Sequence, residues 1–289
     1  MIKNFFNKIV GKKQSGNNIM LSDSAGQTTP KLPDVKPDHF GSGLKDAYMD
    51  GWYDSANGIL YTGFPVNAED VVVDIGCGDG GAALFCANRG AHVICADISA
   101  DKVASTLERL SSTPARKVEG VVSDANPLLI ADAVASKVIC MEVIEHVEDP
   151  AHFLSELVRI GKPGAHYLLT VPDPVAEHMQ KGVAAEVYFQ HPNHIRIIER
   201  AEFEKMVTDA GLVIESHTYY GFYWALWFMF FWISKVDLTN PDHPLLTHWT
   251  RTWEALMSNP ETRQLRTNLN QLMPKSQAII ARKPVTKYA

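Results

Sequence analysis

The sequence lacks three features that would each point to a particular class of protein. Its 289 residues include four cysteines and no C-x-x-C pair, which argues against a disulfide framework or a zinc ribbon. No stretch reaches the ~18 uncharged apolar residues that a membrane-spanning helix needs. The formal net charge of −6 gives no basic excess, so we expect no nucleic-acid partner. These absences favour a cytoplasmic globular protein with one catalytic domain and additions.

The most informative stretch runs from Val71 to Gly81, where an apolar, β-branched segment leads into four glycines within six residues. The apolar segment predicts a buried strand, and the run from Ala82 to Ala87 predicts a helix. Glycine tolerates positive φ and allows a close approach of the backbone, so this turn predicts a binding site for a cofactor. Asp74 precedes the first glycine by two residues. Its carboxylate would repel a pyrophosphate but suits a ligand that carries an ammonium group.

Two further acids follow predicted strands. Asp97 ends the apolar run that starts at His92, 19 residues beyond Gly78. An acid at that point of a parallel sheet can accept both hydroxyls of a ribose. Asp124 follows the next predicted strand, 118–122. The sequence therefore predicts a nucleoside-binding edge formed by consecutive strand ends.

Two segments carry a resemblance to a known family. Residues 74–80 read Asp-x-Gly-x-Gly-x-Gly, and residues 142–150 read Glu-Val-Ile-Glu-His-Val-Glu-Asp-Pro. They resemble motifs I and IV of the class I S-adenosylmethionine (SAM)-dependent methyltransferases, of the type 11 and ubiquinone–menaquinone-biosynthesis methyltransferase-like family. The resemblance covers roughly 65–218 and 276–284. One departure is Ser136, which stands where the family usually has an aspartate before the fourth strand.

The resemblance implies the fold, the cofactor and the residues that hold it. The fold would be Rossmann-like α/β, a seven-stranded, mostly parallel sheet with helices on both faces and an aromatic-rich insert before the last strand. The cofactor would be SAM. The residues that it implies at the cofactor are Asp74, Gly76, Cys77, Gly78, Asp97, Ile98, Asp124, Ala125 and Glu142.

The chain divides by composition into four parts. Residues 1–40 are a basic, amphipathic start and a flexible linker, and residues 41–218 are the SAM-binding core. Residues 219–275 are an aromatic-rich insert, in which Tyr219 to Ser234 carries no charge. Residues 276–289 are the last core strand and a tail. The loop at 173–198, between the fifth strand and a helix at 199–210, is expected to be irregular.

Candidate bases for the acceptor side are His146, directly after motif IV, and His194, in the polar loop. Either imidazole could take a proton from a hydroxyl, and either could instead be a structural residue. Some relatives hold a divalent ion with an E-x-x-E-H sequence, which Glu142, Glu145 and His146 reproduce. Our prediction is nevertheless a site without a metal, in which alignment of the reactants contributes most.

The aromatic insert has three interpretations: a pocket for a lipophilic acceptor, a contact with a membrane surface, or an ordinary core or dimer patch. Residues 1–13 place apolar side chains on one helical stripe beside four lysines, a pattern that suits the inner face of an anionic membrane. The sequence thus predicts methyl transfer from SAM to a small, lipophilic or lipid-linked acceptor. The alternatives are a dinucleotide-dependent oxidoreductase, a non-catalytic binding subunit of the same fold, and, for assembly, a homodimer.

Overall fold

The computed structural model describes residues 37–285, and the basic start at 1–13 lies outside them. Its main sheet has seven strands in the order β6-β5-β4-β7-β8-β10-β9. Six of them run in one direction, and β10 runs in the opposite direction between β8 and β9. This confirms the predicted fold class. The strands are β4 (Val71–Ile75), β5 (His92–Asp97), β6 (Lys117–Val122), β7 (Ala135–Met141), β8 (Gly161–Pro172), β9 (Val213–Tyr220) and β10 (Ser276–Arg282).

Helices cover both faces because the strands are apolar on both sides. Along β4, Val73 and Ile75 enter one core, whereas Val72 enters the other. The first core is closed by two helices, α4 (Pro150–Ile160) and α6 (Arg200–Asp209). The second core is closed by α2 (Gly81–Asn88), the end of α3 (Ala100–Leu110) and a small sheet of β1 (Trp52–Asp54), β2 (Ile59–Tyr61) and β3 (Phe64–Pro65).

Ser136 lies within β7 rather than before it. Its hydroxyl donates to Asp70 Oδ1 at 2.7 Å and accepts from the backbone N–H of Val71 at 3.0 Å. The residue that departs from the family pattern therefore still ties the starts of two neighbouring strands together.

Two segments differ from the sequence prediction. The loop expected at 173–198 contains α5 (Pro174–Gln180) and a short 3₁₀ turn, Glu186–Phe189. The Asp173 side chain caps α5 by accepting from the N–H of Val175, and proline at the first helical position is compatible with this start. The linker expected up to residue 40 lies outside the described residues as far as residue 36, and its last two residues instead begin α1 (His39–Met49), which Asp38 caps.

The aromatic insert folds into a helical cap, defined as α7 (Phe222–Ser234), α8 (Pro244–Met257) and α9 (Arg263–Leu272) together with α1. The rings of Trp224, Trp227, Phe228 and Phe231 are all buried and form the core of this cap. Their burial leaves these four rings little surface to offer to a membrane, and the membrane contact predicted for residues 219–234 stays a prediction. No helix within residues 37–285 is long and apolar enough to cross a membrane.

Candidate functional site

The glycine turn after β4 has the geometry that the sequence predicts. Gly76, Gly78 and Gly80 all have positive φ, and α2 begins at the next residue. The backbone N–H of Cys77 donates to Ala96 O on the neighbouring strand at 3.0 Å, which fixes the path of the turn. A side chain at residue 80 would also collide with Thr106, so glycine is required there for space as well as conformation.

Helix α3 fastens this turn from the side. Thr106 Oγ1 donates to Gly78 O at 2.9 Å, and Arg109 Nη1 donates to Asp79 O at 2.6 Å. The Lys102 ammonium pairs with the Asp79 carboxylate at 2.5 Å. Sequence reasoning missed these three supports, although their spacing of four and three residues places them on one face of a helix.

Asp97 ends β5 at the mouth of the turn. Its Oδ2 accepts from the N–H of Gly78 at 2.9 Å, and its Oδ1 accepts from the N–H of Ser99 at 3.0 Å. Beside it opens a cleft of about 350 Å³. The cleft is lined by Ile98, Val122, Ser123, Asp124, Asn126, Pro127 and Leu129. The structure therefore brings Asp97, Ile98 and Asp124 to one edge of the sheet, with Ala125 buried behind Asp124.

Asp74 lies near the end of β4 and is almost fully buried. Tyr53 of β1 lies near enough for the Asp74 carboxylate to act on its phenol. Burial, with the Asp74 carboxylate as a second cause, raises the pKa of Tyr53 to about 12. Of the other aromatic residues in the segment that precedes β4, Trp52 is buried, whereas Tyr48 is exposed.

Glu142, directly after β7, is held by two side chains. Its Oε1 accepts from Thr170 Oγ1 at 3.0 Å, and its Oε2 accepts from Lys275 Nζ at 2.9 Å. Burial alone would raise the pKa of Glu142, but the Lys275 ammonium keeps it below its ordinary value. Glu142 also has φ of 52°, a strained conformation for a residue with a side chain.

The two candidate histidines lie beside each other, with ring centroids 5.0 Å apart. His146 Nδ1 contacts Asn193 O at 2.7 Å, and His194 Nδ1 contacts Glu177 Oε2 at 2.8 Å. His194 and Glu177 are buried, whereas the His146 side chain is about one-third exposed. Tyr188 closes the group by donating to Glu177 Oε1 at 3.2 Å.

Glu145 joins this pair of histidines. One ligand atom from each of Glu145, His146 and His194 lies within 4.8 Å of the other two, close enough to hold one divalent cation. Glu142 is not in this group, so the E-x-x-E-H sequence does not converge as a unit. The ammonium of Lys275 lies nearby, and its pKa is raised despite burial because of Glu142, Glu177 and Glu145.

Sequence reasoning missed two residues of this acceptor side. Lys275 lies just before β10 and contacts Glu142 across 133 positions of sequence, for which no local pattern exists. Glu177 lies in α5, a helix that was not predicted. The signal for that helix was present in Asp173-Pro174, a typical N-terminal start.

Comparisons with known proteins agree with this geometry. Residues 73–169 match the family Methyltransf_11, described as a methyltransferase domain. The chain is 28% identical over 145 residues to a Mycolicibacterium smegmatis protein named as an S-adenosylmethionine-dependent methyltransferase, covering 50% of this chain and 52% of that protein. It is 28% identical over 169 residues to a Cupriavidus pinatubonensis ubiquinone biosynthesis O-methyltransferase, covering 56% and 64% respectively. The matches thus span less than two thirds of these relatives' own lengths.

A solved structure shows the same fold over most of the chain. The methyltransferase chain of a Haloferax volcanii complex with the Trm112 methyltransferase activator is similar with a TM-score of 0.52 and 21% identity. That likeness covers 87% of this chain and 100% of the other, and at this identity it concerns the fold alone. The family match, the glycine turn and the strand order are consistent with one another. Residues 73–169 are similar to the methyltransferase domain Methyltransf_11, and the sheet that contains them has the Rossmann-like fold of the methyltransferase structures.

Proposed function

We propose that the chain transfers a methyl group from SAM to a hydroxyl group of a small, lipophilic acceptor. The observation that carries this proposal is the adjacency of two groups of residues. The glycine turn follows β4, the segment from Glu142 to His146 follows β7, and these two strands pair in parallel. Since the carboxyl ends of parallel neighbours lie at one edge of a sheet, a donor on the turn would meet an acceptor beside the histidines.

The residues around the turn fit the donor. Bound SAM would supply an electrophilic methyl group on a sulfonium. The buried Asp74 carboxylate suits the ammonium of the amino acid tail, and Asp97 suits the ribose hydroxyls. The cleft beside Ile98 and Asp124 suits the adenine, and we expect the backbone of Ala125, next in the chain, to lie near it.

The histidines supply the base. His146 Nδ1 faces the carbonyl oxygen of Asn193, which can only accept, so this nitrogen carries the hydrogen and Nε2 keeps its lone pair. His194 is held in the same way by Glu177. Either Nε2 can accept a proton from an acceptor hydroxyl while the fold holds the two reactants in line. The nearby carboxylate of Glu145, 3.6 Å from His146 Nε2, would stabilise the imidazolium that results.

A lipophilic acceptor is supported by the aromatic residues beside His194. The Tyr188 ring lies 4.3 Å from the His194 ring and 5.2 Å from the Trp232 ring, centroid to centroid. Trp232, near the end of α7, reaches this side and its Nε1 donates to Gln180 Oε1 of α5 at 3.1 Å. Transfer to oxygen is also the activity named for the Cupriavidus relative.

The proposal includes the location of the reaction. The basic start at 1–13 would bring the chain to an anionic membrane surface, where a lipid-linked acceptor would be found. A chain that lacks residues 1–13 should then lose its binding to phosphatidylglycerol vesicles while its affinity for SAM stays the same. Equal vesicle binding by both chains would contradict this part. The division into four parts and the homodimer stay predictions.

The decisive experiment measures binding and transfer separately. Calorimetry should show binding of SAM and S-adenosylhomocysteine and no binding of NAD. Labelled methyl should pass from SAM to decylcatechol in detergent micelles, with a smaller yield for catechol itself. His146→Ala and His194→Ala should each be compared with wild type, and loss at one should be roughly 10²–10⁴-fold in turnover with SAM affinity retained. NAD binding without SAM binding would overturn the proposal.

A further inference from the structure

The contact between His194 and Glu177 is a buried hydrogen bond of defined geometry rather than an ion pair on the surface. Both side chains are buried, and His194 Nδ1 lies 2.8 Å from Glu177 Oε2. An ionised carboxylate has no hydrogen to donate, so the hydrogen of this bond belongs to Nδ1. The other nitrogen of the ring, Nε2, is then the one with a lone pair.

Tyr188 holds the second oxygen of the Glu177 carboxylate, Oε1. Its hydroxyl donates to Glu177 Oε1 at 3.2 Å, so the two oxygens of Glu177 have different partners. Burial and the Glu177 carboxylate raise the pKa of Tyr188 well above its ordinary value, which keeps the phenol protonated and able to donate. Tyr188 therefore fixes the orientation of the Glu177 carboxylate by holding Oε1, which leaves Oε2 for His194.

We propose that Glu177 is a positioning residue that, together with Tyr188, holds His194 in the tautomer with hydrogen on Nδ1 and a free Nε2. This inference deepens the proposed function and rests on it for the role of Nε2 as a proton acceptor. The tautomer itself is a property of the chain alone and can be measured without any acceptor.

Two further groups that can carry a positive charge lie near this pair, Lys275 and His146. The ammonium of Lys275 lies close enough for Glu177 to contribute to its raised pKa, after the larger contribution of Glu142. His146, with Nδ1 on a backbone carbonyl, faces His194 from the other side. Lys275 and His146 thus form hydrogen bonds with other groups, and Glu177 is the hydrogen-bond partner of His194.

Glu177→Gln gives the sharpest test because Tyr188 favours one orientation of the new amide. The phenol could accept from the amide nitrogen, but its own hydrogen would then lose the acceptor that Glu177 Oε1 provides, so the amide oxygen is expected on Tyr188 and the amide nitrogen on His194 Nδ1. The nitrogen donates, so the imidazole must move its hydrogen to Nε2. We expect the ¹⁵N spectrum of histidine-labelled protein, with His194 identified by its absence in His194→Gln, to change from the Nδ1–H to the Nε2–H pattern. The double variant Glu177→Gln/Tyr188→Phe frees the amide to rotate and should restore much of the Nδ1–H form.

Turnover should follow the tautomer. With decylcatechol as acceptor, Glu177→Gln should lower kcat by roughly 10²–10⁴-fold with an unchanged Kd for SAM, and the double variant should recover part of the loss. The matched control is Glu199→Gln, because Glu199 accepts from His178 at 2.9 Å near the same loop but is exposed. That variant should change neither the His194 signal nor kcat.

The outcomes separate the two proposals. An unchanged His194 tautomer in both folded Glu177→Gln and folded Glu177→Leu overturns the positioning role. A changed tautomer with wild-type turnover counts instead against His194 as the base of the proposed function. Failure of wild type to bind SAM or to methylate would count against the proposed function, while the spectra would still decide the role of Glu177. Urea unfolding of each variant confirms that the comparison is between folded chains.

Discussion

The donor side and the acceptor side of the site are built in different ways. On the donor side the key groups are backbone and strand-end residues between Asp74 and Asp124, with contacts such as Gly78 to Asp97 across 19 positions. On the acceptor side the key groups are buried side chains held by one another, such as Glu142 and Lys275 across 133 positions. The donor side can therefore be predicted from local sequence patterns, whereas the acceptor side depends on the complete fold.

The helical cap belongs to the second kind of construction. Arg266 of α9 is buried and its Nη2 donates to Asp46 Oδ1 at 2.7 Å and to Asp50 Oδ1 at 3.0 Å, at the end of α1. Trp253 Nε1 donates to the same Asp46 oxygen at 2.9 Å. One guanidinium thus offsets two buried carboxylates, and the cap is expected to depend on it.

The largest expected effect is the loss of that guanidinium. Arg266→Leu would leave two buried carboxylates without their cation, so we expect a loss of about 3–5 kcal/mol in the free energy of unfolding. Urea unfolding measures it. Lys205→Ala is the control, because its pair with Asp209 is exposed and should contribute at most about 1 kcal/mol. A loss below about 1 kcal/mol for Arg266→Leu would show that the cap does not depend on this cluster.

The same cluster predicts a dependence of stability on pH. Burial, with Asp46 as the second cause and Arg266 opposing it, raises the pKa of Asp50 to about 7. An acid whose pKa is raised on folding stabilises the protein fully below about pH 4, and this contribution is lost as the pH rises to about 7. The free energy of unfolding should therefore be lower at pH 8 than at pH 5, by at most about 2.7 kcal/mol, because about two pH units separate pH 5 from the folded pKa of about 7. Urea unfolding at both pH values should show a smaller difference in Asp50→Asn, and an equal difference would assign it to other groups.

The sequence predicts most of the fold because the informative patterns are local. The apolar runs place β4, β5 and β10 within two residues of their bounds, and the glycine turn predicts the donor site. The acceptor side is predicted only in part. His146 and His194 could be named as candidates, but Glu177 and Lys275 acquire their partners through α5 and the last connection of the sheet. The aromatic run is long enough for a helix, yet only the packing shows that its rings fill the cap.

A smaller effect is expected on the donor side. Asp97→Ala should weaken SAM binding by roughly 1.5–3 kcal/mol, since it removes a charged acceptor of hydrogen bonds. Calorimetry measures this directly. The control is Asp101→Ala, an exposed acid in the first turn of α3, which should leave the affinity unchanged. Equal affinities for wild type and Asp97→Ala would mean that the end of β5 does not contact the ribose.

The smallest expected effect is that of removing divalent ions. Glu145, His146 and His194 are close enough to hold a cation, yet Glu142 is already engaged by Thr170 and Lys275. The ammonium of Lys275 would also repel a dication placed among these carboxylates, and proton transfer through the histidines requires none. Treatment with EDTA followed by gel filtration should therefore leave turnover with decylcatechol and the Kd for SAM unchanged. A loss of turnover that Zn²⁺ or Mn²⁺ restores, with SAM affinity constant, would instead assign the three donors to a metal and make Glu177 the group that orients one of its ligands.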